Sequence, residues 1–521
     1  MTSAISPASS SSTLDARVTA FLARRADSAE DSSATSMSTG NTTTDAPPRR
    51  VMTRAEALAL AQYVREATRE PDLGIIVDHT ATAVASQRVG RAPQSRDVDH
   101  LWLRVGCLMG SAVIMDIGTN VRDTTMLRHV LHKAMVTKTP PPLPDPDDDQ
   151  PDAMEVPKPA RYLPVTLWHP RTAAAAATER GTALTQLTAP FQGTDWHGMG
   201  TVAFGERAFF FLDPSGAETA FGESTDSEVS VSVRSSDGSA AGWSGHAHRD
   251  WSQIDPAKVA RSAIAIAEQQ RNPSRAEPGR YTAILSATAV GQLLQAIAPL
   301  FDVLRGPFEI IPRNPALNQG RTDRRGMRVM DPRVTLWSDP ADPEGGDLPF
   351  FYGDGGMGHP NPANTWVEKG ILKLRSVNVG DALMAGMIAR KTPWATHMSG
   401  GLTSVDEMIK NCERGIYVHR FANLQIVDAR SGALGGFTRD GCLLIEHGKI
   451  SRPVKDFRIF ESPFLSLNQR LVALGPTERI AFGFTPRNQD EENPHTWPLP
   501  PVIAPSIMVT DFNFVALSDA V

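Results

Sequence analysis

The sequence predicts an α+β protein, with an N-terminal α/β sandwich-like domain followed by a β-rich C-terminal domain containing a few buried helices. Three observations carry this. Helical and alternating apolar patterns intersperse up to about residue 275, a Pro- and Asp-rich stretch interrupts them at 137–161, and beyond Gly279 the pattern changes to short strands punctuated by Gly and Pro. At 521 residues the chain is too long for one ordinary core. The expected divisions are a leader (1–50), the first part of the N-terminal domain (51–136), a loop (137–161), the second part of that domain (162–275) and the C-terminal domain (276–521).

Residues 1–50 are rich in Ser, Thr, Ala and Asp, which bury too little apolar surface to offset ordering entropy, so a disordered leader is expected. The run 14–25 has the spacing of one transient amphipathic helix. Order is expected from Thr53, where Thr53-Arg54-Ala55-Glu56 is a capping box; Leu60, Ala61, Val64 and Ala67 then line a helix that Pro71 ends. Strands are expected at 74–78, 81–86, 101–105 and 111–117. A helix over 123–135 follows, with Met126, Leu127, Val130, Leu131 and Ala134 inward.

In 137–161, clustered prolines and mutually repelling aspartates dictate an extended surface loop. Asp147, Asp148 and Asp149 are adjacent and lack the Gly-punctuated spacing of a calcium loop. Beyond it come a strand at 164–168, an Ala-rich helix near 173–180 and strands at 208–212 and 228–234, the last with Val229, Val231 and Val233 alternating. Ser235-Ser236-Asp237-Gly238 makes a hairpin turn whose return strand passes Trp243 to His246 and His248. Asp255-Pro256 supplies an N-cap and a first-turn proline for a helix to about Gln270.

The most informative stretch is 281–301. Tyr281, Ala283 and Leu285 form one strand face, Ser286 caps the next helix, and Val290, Leu293, Leu294, Ile297 and Ala298 make that helix apolar nearly all round before Pro299 ends it. Its polar side chains, Gln292 and Gln295, are uncharged, so the helix belongs inside the molecule. Another capping box, Ser404-Val405-Asp406-Glu407, opens a helix with Met408, Ile409 and Cys412 inward and Gly415 as its αL cap. Arg439-Asp440-Gly441 reads as a turn, Cys442 to Glu446 as a strand, and His447-Gly448 as a tight turn.

Composition excludes some functions. A net charge of −6 and a pI near 6.1 give no concentrated basic surface, so no nucleic acid is expected; Arg321, Arg324, Arg325 and Arg328 read as a solvated loop. Cys107, Cys412 and Cys442 follow no paired spacing, as reduced thiols do. Without a membrane-length apolar run or a secretory signal, a cytoplasmic protein that does not engage a membrane is expected.

Two sets of residues resemble the TldD/TldE (PmbA) metallopeptidase family. The strand and Gly-Leu-Leu helix of 281–301 look like the start of its C-terminal domain. The runs Gly415-Ile416-Tyr417-Val418-His419-Arg420-Phe421, Thr438-Arg439-Asp440-Gly441 and Leu444-Ile445-Glu446-His447-Gly448-Lys449-Ile450 are similar in content and order to its signature region. The Thr-Arg-Asp-Gly turn looks like the TldE side. In the family, the TldD helix continues into a zinc-binding HExxxH, two His with a Glu as base; the matching window here is Gln295 to Leu300, with Gln295, Ala296 and Leu300 at the positions matching the motif. Zinc needs imidazole, carboxylate or thiolate donors. The loop before the last strands, where TldD subunits carry a cysteine ligand, has no Cys, and His495 is its one imidazole.

The resemblance therefore implies a TldE-type subunit that itself binds no cofactor, partnered by a TldD-like subunit carrying zinc, the pair acting on an unfolded peptide. It makes Tyr417, His419, Arg420 and Arg439 the candidate contacts to substrate or partner. A self-sufficient hydrolase using His246, His248, His359 or His397, and an interaction module without peptidase activity, are the competing expectations. His246, His248 and Asp250 share one strand face but lack a further ligand from elsewhere.

Overall fold

The computed structural model describes residues 7–33, 49–70, 73–106, 113–136, 163–216, 219–302, 325–353, 356–377, 382, 388–483 and 500–518. The 137–161 loop, Pro71, Cys107, Arg321, Arg324 and His495 lie outside the described residues, as does the side chain of His359.

Helices α1 (Pro7–Ser33) and α2 (Arg54–Thr68) precede β1 (Gly74–Arg88), β2 (Gln94–Gly106), β3 (Val113–Asp116) and α3 (Thr124–Val136); then come α4 (Pro170–Ala173), α5 (Ala177–Thr188), β4 (Trp196–Leu212), β5 (Thr219–Ser235), β6 (Ala241–His248) and α6 (Pro256–Gln269). The six strands form one antiparallel sheet in the order β3-β2-β1-β4-β5-β6. Ile75, Val77, Ala81, Phe210 and Leu212 face α1, α2 and α3, while Phe204, Val229, Val231 and Val233 on the same side face α5 and α6. The opposite side meets the C-terminal domain, through Ile76, Phe209 and Phe211 against Leu348 and Phe350.

Both predicted caps hold: the Thr53 capping box opens α2, and Asp255 with Pro256 opens α6. The segments 74–78 and 81–86 are one strand, because β1 sits in mid-sheet with partners along its whole length. The 164–168 strand reduces to a single bridge from Leu167 to Ser224. Met126 faces solvent, since α3 buries the narrower stripe of Leu127 and Leu131. The leader is corrected more strongly: α1 packs Val18, Phe21, Leu22 and Ala26 into the core of the N-terminal domain, where tertiary contacts supply what its composition lacks.

The C-terminal domain contains β7 (Gly279–Leu285), α7 (Ala287–Ile297), β8 (Leu336–Ser338), β9 (Phe350–Gly353), β10 (Gly356–Pro360), β11 (Asn364–Glu368), β12 (Ile371–Leu372), β13 (Thr396–Met398), α8 (Val405–Lys410), β14 (Arg414–Asp428), β15 (Ala433–Glu446), β16 (Lys449–Val454), β17 (Phe457–Glu461), α9 (Pro463–Ser466), β18 (Leu471–Arg479) and β19 (Val502–Leu517). Strands β7, β14, β15, β17 and β19 pair in a closed ring, β19 returning to β7. Closure removes sheet edges, and the long β19 also carries β13 and β18.

Helix α7 packs on the ring's inner face with Val290, Leu293, Leu294 and Ile297 buried, as its apolar circumference requires. Tyr281, Ala283 and Leu285 join that core. Ile284, on the opposite strand face, is also fully buried, because α8 covers the outside with Met408 and Cys412. Cys412 and Cys442 are buried free thiols. Among the described residues no helix is long and apolar enough to cross a membrane.

Gly415 does not cap α8, which ends at Asn411 with φ −92°. It lies in β14 opposite Thr282, where a Cβ would meet Cys412 Sγ at 2.5 Å and the Thr282 carbonyl oxygen at 2.6 Å. The glycine is needed for close backbone approach. Gly415→Ala should lower stability by about 1–3 kcal/mol, measured by urea unfolding of the purified chain.

Candidate functional site

Helix α7 is fastened to β14 by its few polar side chains. Ser286 Oγ accepts the N–H of Ala289 at 3.1 Å, capping the helix, and donates to the His419 carbonyl. Gln292 goes further. Its Nε2 donates to the Phe421 carbonyl at 3.0 Å and its Oε1 accepts the Phe421 N–H at 2.7 Å. The β7–β14 ladder ends at Leu285–Val418, and the Gln292 amide prolongs it from the helix.

Beside this clamp lies the Gln295–Leu300 window that the resemblance aligns with the zinc motif. Gln295 and Ala296 are partly buried near the end of α7, and Leu300 is 1% exposed on the following 3₁₀ turn. A small cavity next to it is lined by Leu294, Ile297, Ala298, Phe301, Leu336, Trp366, Pro393 and Thr396. Hydrocarbon dominates this lining; the Thr396 hydroxyl is donated to the Pro393 carbonyl, and Trp366 Nε1 to Ser338 Oγ at 3.0 Å. Among the described residues no group of three His, Cys, Asp or Glu side chains is placed to hold a metal ion. An alanine and a leucine have no lone pair to offer, so these residues do not fit zinc.

The signature residues gather elsewhere. Ile416 and Val418 face the inside of the ring, whereas Tyr417 packs outside with Ile284, Met408 and Ile445. The His419 ring meets Tyr417 edge-on at 4.8 Å. Burial holds His419 down to about 4 and drives the Tyr417 hydroxyl upward. Arg420 pairs with Asp440 and stacks over Trp243 of β6 at 4.7 Å, bridging the two domains. Arg439 is more open, its Nε 3.9 Å from Asp440. Thus His419, Arg420 and Arg439 are brought together around Asp440 with Tyr417 against the His419 ring, but β14 separates Tyr417 and His419 from α7 and the Gln295 window.

Arg439-Asp440-Gly441 is not a turn. β15 runs through it as a bulge, with Asp440 (φ 54°) and Gly441 (φ 138°) opposing the single residue His419. A Cβ at Gly441 would lie 2.6 Å from His419 Cδ2, so glycine makes room for the imidazole. The bulge keeps the ring closed while setting Asp440 in reach of Arg420. By contrast, His447 (φ 51°) and Gly448 (φ 73°) form the expected tight turn, of the primed type.

Sequence reading missed Asp456 and Gln270 and gave Thr438 no role beyond its place in the signature run. Thr438 Oγ1 donates to Asp456 Oδ1 at 2.9 Å, and Gln270 Nε2 donates to the Cys442 carbonyl at 3.1 Å, tying α6 to β15. Burial, with Asp440 nearby, pushes Asp456 up to about 6. No motif marks it, since its acidity is set by neighbours distant in sequence. The competing histidines stay apart: His246 and His248 lie on β6, while His397 lies on β13, stacked on Trp337 at 5.2 Å. His248 Nδ1 accepts the Asp250 N–H at 2.9 Å, and Asp250 caps a 3₁₀ turn instead of extending the strand.

A two-domain α+β architecture, with a closed strand ring around an apolar helix, defines the class. Residues 278–516 match the family model described as PmbA/TldA metallopeptidase C-terminal domain, in line with the resemblance to the TldD/TldE (PmbA) family. Among solved structures it is similar to TldE from Thermococcus kodakarensis, at 16% identity and a TM-score of 0.63, covering 87% of this chain and 99% of that one. A candidate modulator of a DNA gyrase from Thermotoga maritima MSB8 aligns at 13% identity and a TM-score of 0.63, with 87% and 99% coverage. A like-described protein from Bacteroides thetaiotaomicron VPI-5482 aligns at 14% and 0.63, with 89% and 100%. No curated protein matches the chain.

Two outcomes test this geometry. Gln292→Leu should cost about 2–4 kcal/mol, because it leaves the Phe421 N–H and C=O buried without partners; urea unfolding reads it. Asp456 has a folded pKa of about 6, above the unfolded value, so the folded state holds the extra proton and its contribution is lost as pH rises from about 4 to 6. His419, held down to about 4, acts oppositely: protonation favours the unfolded state, and stability is gained as pH rises through the same window. Asp456→Asn should therefore gain about 2 kcal/mol on wild type between pH 4 and 6.5, and His419→Gln should lose a similar amount, by urea unfolding at both pH values.

Proposed function

We propose that this chain is a TldE-type, metal-free subunit that pairs with a TldD-like, zinc-bearing subunit, the complex cleaving unfolded or modified peptides. The observation that carries the reading is the chemistry of the window at the end of α7 and on the following 3₁₀ turn, where Gln295, Ala296 and Leu300 stand at the positions matching the zinc motif beside a cavity lined by hydrocarbon. When bound in the partner, zinc would supply a polarised water as nucleophile. This chain would complete the chamber and hold substrate backbone along its sheet edges, for which β6, the outermost strand of its sheet among the described residues, offers an edge. Arg439, whose side chain is more open than that of Arg420, is the candidate contact best placed to meet a partner or peptide.

The test is to purify the chain alone and together with a TldD-like protein encoded next to it, then measure zinc by elemental analysis and cleavage of an unfolded peptide. The expected outcome is neither stoichiometric zinc nor turnover from the chain alone, and both from the complex. Zinc and turnover from the isolated chain would overturn the assignment in favour of a self-sufficient hydrolase. A stable complex that cuts nothing would point to an interaction module.

A further inference from the structure

Helix α1 presents Val18, Phe21, Leu22, Arg25 and Ala26 to the rest of the N-terminal domain, all of them 0–1% exposed. The intervals are those by which an amphipathic helix enters a groove, with an arginine where a further apolar anchor would be expected. The groove is formed by α2, α3 and β2.

At its floor, Arg25 Nε donates to Asp99 Oδ1 at 2.9 Å, Nη1 donates to the Ile117 carbonyl at 3.0 Å, and Nη2 completes the pair with Asp99. Asp99 Oδ2 is also 2.8 Å from His79 Nε2, and His79 Nδ1 accepts the Met52 N–H at 2.9 Å. His79 therefore carries its proton on Nε2 and donates it to Asp99. Because the imidazole is neutral, the guanidinium supplied by α1 is the positive charge held directly against this carboxylate. The Phe21 ring closes over His79 edge-on at 5.9 Å. At the rim, Arg24 reaches Glu56 at 2.8 Å and the Arg49 carbonyl at 2.7 Å.

The tether is long for the distance it must span. Arg24 touches Arg49, so the end of α1 at Ser33 lies roughly 14 Å further along the helix axis. Residues 34–48, which return the chain to Arg49, can reach on the order of 50 Å. Nothing in the chain's length forces α1 onto its own groove rather than a neighbour's.

We infer that the groove is a helix-docking site specific for an arginine-bearing amphipathic helix, and that α1 is an exchangeable occupant which a second copy of the chain can also supply. Asp99 is the selectivity element. A helix with a neutral side chain at the Arg25 position leaves a buried carboxylate without its charge partner.

The test introduces a protease site between Gly40 and Asn41 of the full chain, cuts it, and titrates the nicked protein with a fluorescent peptide of residues 7–33. The labelled helix should bind saturably and release the resident fragment, and the Arg25→Gln peptide should compete at least about a hundredfold less well. In a body carrying Asp99→Asn the two peptides should become equivalent. The peptide comparison stands even where that variant fails to fold. Retention of the fragment through dilution without uptake of label, or equal binding of both peptides to the unmodified body, would overturn the proposal.

Discussion

The C-terminal domain depends on one side chain-to-backbone interaction, the amide of Gln292 paired with both polar groups of Phe421. An apolar helix inside a strand ring gains burial but no orientation, since hydrocarbon contact is nearly indifferent to rotation about the helix axis. Gln292 and the Ser286 cap remove that freedom. They fix α7 against β14 at two levels, and the remaining apolar positions then face β19 and the core as a consequence.

The same strand that holds α7 also separates the two groups of residues marked by family resemblance. The Gln295 window lies within the ring, beside hydrocarbon; Tyr417 and His419 lie outside it, under α8 and the end of α6. Arg420 links them to the N-terminal domain by stacking on Trp243. The junction is reinforced by Arg479 with Asp226 at 2.5 Å and by Gln270 on the Cys442 carbonyl. The signature bulge thus helps to join the domains through the Arg420–Asp440 pair, with Arg439 as its more open member.

Titrating groups at this junction are opposed. Asp456 favours the protonated state and His419 the neutral one, so their effects on stability run in opposite directions over the same pH range. Both shifts originate in burial, that of His419 beside the bulge at Asp440–Gly441 and that of Asp456 beside Thr438.

The sequence by itself determined the helix starts at Thr53, Asp255, Ser286 and Ser404, the inward stripe of α7, the His447-Gly448 turn and the family resemblance. These are short-range matters of capping, periodicity and turn conformation, and neighbours along the chain suffice to specify them. Only the tertiary structure decided that β1 is continuous, that Arg439-Asp440-Gly441 is a bulge, that Gly415 serves close approach, that the leader contains a docked helix, and that Asp456 belongs to the signature cluster. Each rests on a partner far away in sequence, Gly415 on Thr282 or Arg25 on Asp99, and local propensity holds no information about a partner that folding has yet to bring near.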